Sequence, residues 1–396
     1  MSKHGIIKVS FTCFLLLVLF MISLLYAPYR NTVAKAASRS SCGAWSVVPS
    51  PNPGSMGNIL RSVATISASN VWAVGSQMSN TTTQTLIEQW NGKIWKVISS
   101  PNASSSDNEL FGVAAVSTSN AWAVGLYSPN GSKTSQTLIE QWNGTTWTVV
   151  PSPNPGTNST LSSVVALSSN NVWAAGNYSS SGPTKTLIEH WDGSRWSVVS
   201  SPNKGLNSSE LFAITAVSAK NIWAVGSFQK GSFPGTSQTL VEQWNGSAWT
   251  IVGSPNVKAL NNFLSGVTAT SAHDIWAVGN ANAPSGSTAQ TLIEHFNGSQ
   301  WSIVKSPNVA SSNFLQGVTA VSTNLVWAVG FAFNLGSVQT LIERWNGSKW
   351  SIVSSPDPSS TFNDLHGVAH VLNSTKTWAV GTSDTNPGKT LTEFFC

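Results

Sequence analysis

The feature that most constrains the fold is a short motif that returns seven times. The sequence WAVG, once written WAAG, recurs every 50 to 53 residues, with its tryptophan at Trp72, Trp122, Trp173, Trp223, Trp276, Trp327 and Trp378. Repetition at this period is typical of solenoids and propellers, in which a single repeat cannot bury its apolar face alone. We therefore expect the 396 residues to form one repetitive domain rather than several unrelated ones.

Each copy follows the same internal plan. In the first copy, LRSVATIS is followed by a turn at 68–70, VWAVG, a loop, TLIEQW, the pair Asn91-Gly92 and KIWKVISSPN. Short runs rich in Val, Ile, Thr and Trp between turn residues predict four antiparallel strands, and Asn-Gly is the pair that a two-residue hairpin turn demands. No stretch has helical periodicity. The sequence therefore predicts an all-β fold.

All 19 tryptophans fall at three positions of the repeat. Seven stand in WAVG, seven follow the Asn-Gly turn and five precede it, with Phe296 and Phe395 in the two remaining places. A residue required in every copy is expected to pack between neighbouring repeats. A sugar-binding aromatic platform remains open for a minority of them.

The last copy lacks its fourth strand. It contains LHGVAHVL, TWAVG and KTLTEFF, and the missing piece, GAWSVVPSPN, stands at 43–52. Pairing of 44–50 with 389–395 would complete the last sheet and remove the sheet edges that an open array of repeats would expose. The prediction is an all-β, seven-bladed β-propeller of four-stranded antiparallel blades over 38–396, whose ring is closed by the N-terminal strand.

Two cysteines flank the interrupted seventh turn. Alignment of the last copy on an intact one puts Cys396 at the Asn91 position and Cys42 at the Gly92 position. Neighbouring turn positions need only a small shift to reach the Cα separation of about 4.4 to 6.8 Å that a disulfide requires. We predict a Cys42–Cys396 disulfide, and two unpaired thiols are the alternative.

The first 37 residues have the pattern of a signal peptide. Lys3 and Lys8 precede an apolar run over 11–27, and the triplet at 34–36 is a small-x-small cleavage site. A retained membrane anchor is the alternative, because about 17 apolar residues can just span a bilayer. Either outcome exports the rest of the chain, which would be secreted or held at the outer face of the membrane by this segment alone.

The net charge of +5 gives no sign of nucleic-acid binding. Four of the 20 basic residues and none of the 15 acidic residues lie in the leader, which leaves 16 bases against 15 acids. A nearly neutral body has no electrostatic footprint for phosphate backbones. We expect a monomer that binds no nucleic acid.

Loop lengths single out one face as the binding face. The loop after WAVG runs from 8 to 12 residues and changes composition each time, whereas two connections at the other end keep nearly constant lengths. Variable loops on a rigid frame are where binding is usually placed. The candidate contacts are aromatic side chains in these loops, although packing on their own blade is equally open: Tyr127, Tyr178, Phe228, Phe233, Phe331 and Phe333.

A second candidate position follows the leucine of the first strand. It varies between copies and should surround the channel mouth: Arg61, Phe111, Ser162, Phe212, Ser265, Gln316 and His366. Ring closure would make the blades of Arg61 and His366 neighbours.

No catalytic or metal constellation stands out. Seven of the 15 acids are the Glu of TLIE and its variants, and catalysis needs a carboxylate once or as a pair, so this recurrence predicts a structural hydrogen bond in every blade. His366 and His370 would be about 13 Å apart along a strand, too far to share a metal. We expect no cofactor.

The order VWAVG, loop, strand ending in WNG, then Trp and alternating apolar residues resembles tectonin-type and kelch-type repeats. The resemblance implies a propeller and, for tectonin-like propellers, recognition of sugars or cell-envelope surfaces. The leading expectation is a non-enzymatic extracellular recognition module that binds a glycan or a cell-surface partner through the variable-loop face. The alternatives are a secreted hydrolase or lyase at the channel mouth, near Arg61 and His366, and a purely structural surface protein.

Overall fold

The computed structural model describes residues 43–396 except 130, 131, 206, 232–234, 259, 284, 287, 335 and 385. Its regular elements are 28 β-strands and no helix, so the all-β prediction is confirmed for this part of the chain. No helix in the same residues is long and apolar enough to cross a bilayer. The leader at 1–37, Cys42 and Phe233 lie outside the described residues, and the predictions made for them stay predictions.

The strands recur in groups of four, each group being one repeat of the sequence. The first strands are β2 Gly57–Ser67, β6 Asn108–Ser117, β10 Asn158–Ser168, β14 Ser209–Ser218, β18 Asn261–Ser271, β22 Ser312–Ser322 and β26 Asn363–His370. The second strands, which carry WAVG, are β3 Asn70–Met78, β7 Asn120–Tyr127, β11 Asn171–Ser179, β15 Asn221–Lys230, β19 Asp274–Asn282, β23 Leu325–Asn334 and β27 Thr377–Ser383.

The third strands are β4 Thr83–Trp90, β8 Gln136–Trp142, β12 Lys185–Trp191, β16 Thr236–Trp244, β20 Ala289–Phe296, β24 Ser337–Trp345 and β28 Lys389–Phe395. The short fourth strands are β5 Trp95–Val97, β9 Trp147–Val149, β13 Trp196–Val198, β17 Trp249–Val252, β21 Trp301–Ile303, β25 Trp350–Ile352 and β1 Trp45–Val47.

Within each group the strands pair antiparallel in the order first, second, third, fourth. Five sheets have four strands, and a larger sheet joins the fifth and sixth repeats through one parallel bridge between Ala289 and Ser312. The last group obtains its fourth strand from the other end of the domain, because β1 pairs with β28 and Trp45 lies opposite Phe395. Repeated four-stranded antiparallel sheets are therefore the architecture of the described chain.

The Asn-Gly turns are longer than the sequence suggests. Trp90 pairs with Trp95, so the loop has four residues, and the prediction of a two-residue hairpin is wrong. The side-chain oxygen of Asn91 accepts hydrogen bonds from the amides of Lys93 and Ile94, both at 3.0 Å, which holds the longer loop. Gly92 follows with φ of 92°, a conformation that favours glycine.

Aromatic triplets join neighbouring repeats. The ring of Trp72 is fully buried and lies 5.0 Å from Trp142 and 5.2 Å from Trp147 of the next repeat, centroid to centroid. The same triplet recurs from repeat to repeat, and Trp378 of the last repeat packs on Trp90 and Trp95 of the first at 4.9 and 5.1 Å. The recurrent tryptophans thus pack between repeats.

The first strands also contact one another from repeat to repeat. Each contacts the first strands of the repeats before and after it, and β26 contacts β2. Their approach is close at Gly367, where a Cβ would lie 3.0 Å from the backbone oxygen of Arg61 and from the Cα of Ser62. Only glycine fits this contact without displacing backbone.

Candidate functional site

Every first strand carries a β-bulge directly after its leucine. In β2, Leu60 pairs with Gly75 and Ser62 with Val74, so Arg61 has no partner residue. The same shift occurs in all seven first strands, and the bulged residues are Arg61, Phe111, Ser162, Phe212, Ser265, Gln316 and His366. A bulge re-aims its side chain and releases it from the ladder. The variable position found in the sequence is therefore the bulge.

The bulges lie toward the end of the molecule that carries the variable loops. Gly57 at the start of β2 pairs with Met78 at the end of β3, from which the variable loop departs. Arg61 follows four residues after Gly57, which is about 13 Å along the strand. The opposite end of the same strands carries the tight turns.

Six side chains from four neighbouring first strands come together, and we call them the mouth cluster: Gln316, Asp364, His366, Arg61, Glu109 and Phe111. Gln316 Nε2 donates to Asp364 Oδ1 at 3.2 Å, and Gln316 Oε1 lies 2.8 Å from His366 Nδ1. The guanidinium carbon of Arg61 lies 5.9 Å from the centre of the Phe111 ring. The structure thus brings Arg61 and His366 into one cluster.

The hydrogen bonds of Gln316 set the orientation of the histidine ring. Its amide nitrogen is committed to Asp364, so its carbonyl oxygen accepts from His366 Nδ1, which must carry the hydrogen. His366 Nε2 is then an acceptor, and it lies 3.7 Å from Asp364 Oδ2. A hydrogen-bond donor placed beside this pair can reach both atoms.

Burial opposes the charged form of the three titratable side chains beside Arg61. It raises the pKa of Asp364 to about 8, with Arg61 and the hydrogen bond from Gln316 opposing the shift. It lowers the pKa of His366 well below the usual value, and Arg61 adds to that effect. Burial also raises the pKa of Glu109, which Arg61 opposes. Near neutral pH, Asp364 and His366 are therefore uncharged.

Arg61 keeps its charge and has no ion-pair partner among the described residues. The three close contacts there between an acidic side chain and a histidine or lysine are His295–Asp274, His366–Asp364 and Lys389–Asp384, and none involves Arg61. Its Nε–H is buried and donates to no partner within the same part of the chain. Since an arginine side chain stays protonated in proteins, the mouth cluster presents a fixed positive charge.

All five candidate loop aromatics that the structure describes lie in strands, and three of these pack on the core. Tyr127 ends β7, donates to Gln136 Oε1 and packs on the core between the first two repeats. Tyr178 lies in β11 and packs on the core around Trp122. Phe228 lies within β15 and is only 6% exposed. The placement of these residues in loops was wrong, because the second strands continue their pairing well past WAVG, and Phe228 is buried.

Phe331 and Phe333 are the candidate aromatics nearest to a free surface. Both lie at the end of β23, where Phe331 stacks on Phe314 of β22 with 4.7 Å between ring centres, and Phe333 is 38% exposed. Ser311 donates to the backbone oxygen of Phe333 at 2.9 Å and also lines a cavity of about 260 Å³ between the fifth and sixth repeats. The variable-loop end therefore has an aromatic patch beside a small cavity.

The recurrent glutamates occupy sealed positions between the sheets: Glu88, Glu140, Glu189, Glu242, Glu294, Glu343 and Glu393 are each 0% exposed. The Ser201 hydroxyl lowers the pKa of Glu242, and the Ser254 hydroxyl lowers that of Glu294. No described residue donates a hydrogen bond to four of the other carboxyl groups: Glu88, Glu140, Glu189 and Glu343. Burial raises the pKa of Glu88 to about 8. The structural hydrogen bond expected in every blade is not general, and a buried neutral carboxyl takes its place.

Sequence reasoning found two members of the mouth cluster and missed Asp364, Gln316 and Glu109 as partners. Gln316 was seen as a variable residue, but its contact with Asp364 depends on which first strands are neighbours. Asp364 and Glu109 stand two residues before His366 and Phe111 on their strands, and comparison of that position across the copies would have found them. No group of three or more metal-ligating side chains occurs in the described part of the chain.

No family model and no curated protein matches the sequence. The resemblance to tectonin-type and kelch-type repeats therefore has no support from sequence families.

Solved structures of β-propeller proteins are similar in fold. YCF48 bound to a D1 peptide has a TM-score of 0.55 at 14% identity, over 90% of this chain and 100% of that chain. An ulvan lyase of polysaccharide lyase family PL25, bound to a saccharide of GlcA and Rha3S, has a TM-score of 0.53 at 9% identity, over 88% and 94%. The GH74 xyloglucanase from Xanthomonas campestris has a TM-score of 0.53 at 12% identity, over 87% of this chain and 55% of that chain. The chain thus has a β-propeller fold.

Proposed function

We propose that the chain is a closed seven-bladed β-propeller that works outside the cell as a non-enzymatic recognition module, with its binding site at the variable-loop end. Closure is supported by the pairing of β1 with β28, by the contact of β26 with β2, and by the packing of Trp378 on Trp90 and Trp95. The ligand we propose is a glycan or a cell-surface partner.

The single observation that carries this function is the mouth cluster. The repeats keep the same buried residues at the positions that hold them together, but they place different side chains at the bulge, which the ladder does not use. A buried, unpaired polar atom costs free energy unless something binds it. The unpartnered Nε of Arg61 therefore supports a ligand at this end and speaks against a purely structural role.

The cluster suits recognition. His366 and Asp364 are 9% and 7% exposed, so a ligand group that reaches them is shielded from water and its hydrogen bonds there are strengthened. The similar propeller structures include one with a bound peptide and one with a bound saccharide, so this fold accommodates both kinds of partner.

A hydrolase or lyase at the same place is the second candidate function. It is favoured by one pair of groups: Asp364 holds its proton near neutral pH, and His366 Nε2 is free to accept one 3.7 Å away. Such a pair can act as general acid and general base. Release of product from any bound glycan would put this candidate first.

A binding experiment with two matched variants tests the proposed face. The protein is expressed from its full-length gene, purified, and applied to a glycan array and to cell-wall material. The double variant Phe331→Ala/Phe333→Ala removes the aromatic patch at the variable-loop end, and we expect binding to fall at least about tenfold, since buried aromatics commonly dominate interfaces. Ile94→Ser is the control, because Ile94 is 52% exposed in a tight turn at the opposite end. Loss of binding in the control alone would show that the face is wrong.

Export is proposed with the function. The segment 1–37 is a leader that is removed, or else an anchor that holds a monomeric propeller at the outer face of the membrane. N-terminal sequencing of the exported protein separates the two outcomes, and a first residue near 38 supports removal.

A further inference from the structure

We propose that the mouth cluster binds the carboxylate of a uronic acid residue in a glycan, with Arg61 as the group that recognises it. This inference rests on the proposed function and names its ligand class.

The charge of the cluster selects an anion. Burial keeps Asp364 and His366 uncharged near neutral pH, so neither cancels the charge of Arg61. The Nε hydrogen of Arg61 is buried and unpaired among the described residues, and an arginine presents its donors in a planar fork that matches a carboxylate. An anion at this point would satisfy the unpaired donor and stay shielded from bulk water. A neutral sugar could offer this donor only an uncharged oxygen, which gives a weaker hydrogen bond than a carboxylate.

The groups beside Arg61 suit the hydroxyls and the ring face of a sugar. His366 Nε2 and Asp364 Oδ2, 3.7 Å apart, can both accept from one ligand hydroxyl, and the protonated Asp364 can donate in return. Aromatic rings stand near the cluster: the Phe111 ring is 5.9 Å from the guanidinium carbon of Arg61, and Phe314, which stacks on Phe331, stands two residues before Gln316 on β22.

The three ligand features that suit the cluster, a negative charge, hydroxyl groups and an apolar face, occur together in a uronic acid. One sugar residue carries a carboxylate, neighbouring hydroxyls and an apolar ring face within a few ångströms. The carboxylate of a peptide terminus or of an acidic side chain has no hydroxyl beside it to meet the His366–Asp364 pair. The chemistry of the cluster therefore favours a uronate over an acidic peptide.

The test compares two probes that differ only in charge. Oligogalacturonides of about five residues and their fully methyl-esterified counterparts are titrated calorimetrically into the protein expressed from its full-length gene, near neutral pH. We expect the acidic probe to bind at least about tenfold more tightly than the ester, the factor that a charge-assisted hydrogen bond of about 1.5 kcal/mol supplies.

Two arginine variants show whether the preference for the acidic probe over the ester depends on the mouth cluster. Arg61→Gln should remove it, so that acid and ester bind alike. Arg344→Gln makes the same change of charge on β24, where Arg344 is exposed over the Trp327 ring near the tight turns, and should leave the preference intact. Thermal melting of both variants shows whether the fold is kept. Arg61→Lys separates charge from the planar fork, and it should restore part of the preference if the site is as proposed.

Each remaining outcome decides the matter. Equal binding of acid and ester by the unmodified protein overturns the uronate and leaves glycan recognition standing. A preference that survives Arg61→Gln in a folded variant also overturns it. Binding of a peptide with a free C-terminal carboxylate, lost in Arg61→Gln, with no binding of either saccharide, would show that the site serves a protein partner. No binding of either saccharide, together with no retention on the array or the cell wall, overturns both the inference and the proposed function.

Discussion

The WAVG tryptophan and the first-strand bulge occur in every repeat, but the two positions follow opposite rules. The tryptophan is the same residue seven times and is buried between repeats, with six of the seven among the largest fully buried side chains. The bulge holds five residue types in seven copies. A residue that is the same in every repeat marks a position on which packing depends. A residue that differs between repeats marks a position that packing leaves free for binding.

The largest expected effect lies at the seventh turn, where the chain is interrupted and two cysteines flank the gap. The amide of Gly43 donates to the backbone oxygen of Cys396 at 3.3 Å, which supports the predicted disulfide from Cys42. We expect the double variant Cys42→Ser/Cys396→Ser to lower the free energy of unfolding by about 5 kcal/mol, the loop-entropy value for so long a span, less any strain. Non-reducing peptide mapping identifies the bond, and free thiols at both positions after oxidative expression would contradict it.

A substitution in each of the two positions of one repeat tests the comparison itself. Trp122→Ala empties a fully buried site between Trp191 and Trp196 and should cost about 3 to 5 kcal/mol of unfolding free energy. Phe111→Ala, at the bulge of the same repeat, should cost about 1 kcal/mol or less, because it is partly exposed and its residue is outside the ladder. Denaturant titration measures both. Similar losses at the two sites would break the distinction between packing and binding positions.

The buried glutamates extend the comparison to pH. Burial raises the pKa of Glu88, Glu140 and Glu189 from 4.5 to about 8, so the folded chain holds protons that the unfolded chain has released. The contribution of these groups to the free energy of unfolding is therefore greatest below pH 4.5. It falls as the pH rises to about 8 and then levels off. Each group contributes at most about 1.4 kcal/mol per pH unit in that window.

A neutral isostere isolates one of these groups. Glu189→Gln removes the charge that the site disfavours, so the difference in melting temperature between pH 5 and pH 8 should shrink relative to the unmodified protein. Scanning calorimetry at the two pH values measures it. An unchanged difference would mean that Glu189 does not stay protonated in the folded state.

The smallest effect concerns a natural exchange between the third and fifth repeats. His190 Nε2 lies 2.9 Å from Asn171 Oδ1, and His295 Nε2 lies 2.8 Å from Asp274 Oδ1, with each imidazole 4.2 Å from its WAVG indole. Asp274→Asn converts the fifth repeat to the form of the third. We expect a loss of at most about 1 kcal/mol, because the asparagine keeps an oxygen at the place that contacts the imidazole, as Asn171 does in the third repeat. A larger loss would show that these positions are not interchangeable.

The sequence was a reliable guide wherever the repeat supplied seven independent copies. Strand order and the packing of the tryptophans followed from recurrence alone, and so did the pairing partner of the segment at 44–50. The sequence was a poor guide to features that occur in only one repeat. Phe228 has the sequence context of a loop residue, but pairing across Ser209 and Gln238 extends the strand through it.

The mouth cluster could be predicted only in part for a related reason. Arg61 and His366 occupy equivalent places in the first strands of the first and last copies, and those two strands are in contact. The contact of Gln316 with Asp364 depends on a sideways reach between strands, and the bulge that permits it leaves no residue signature of its own. The turn loops show the same limit, since Asn91-Gly92 fits two turn lengths and only the pairing of Trp90 with Trp95 decides between them.

The bulge in every first strand has a consequence for how such a chain can change. Because the bulged residue lies outside the ladder, its substitution does not disturb strand register, and the seven copies offer seven such places on one surface. Mutations at bulges that lie apart should combine nearly additively, whereas Gln316 and His366 share a hydrogen bond and would be coupled. The residues that determine the fold are thus different from the residues at the bulges. A library of variants confined to the seven bulge positions could give the propeller new specificities without a new fold.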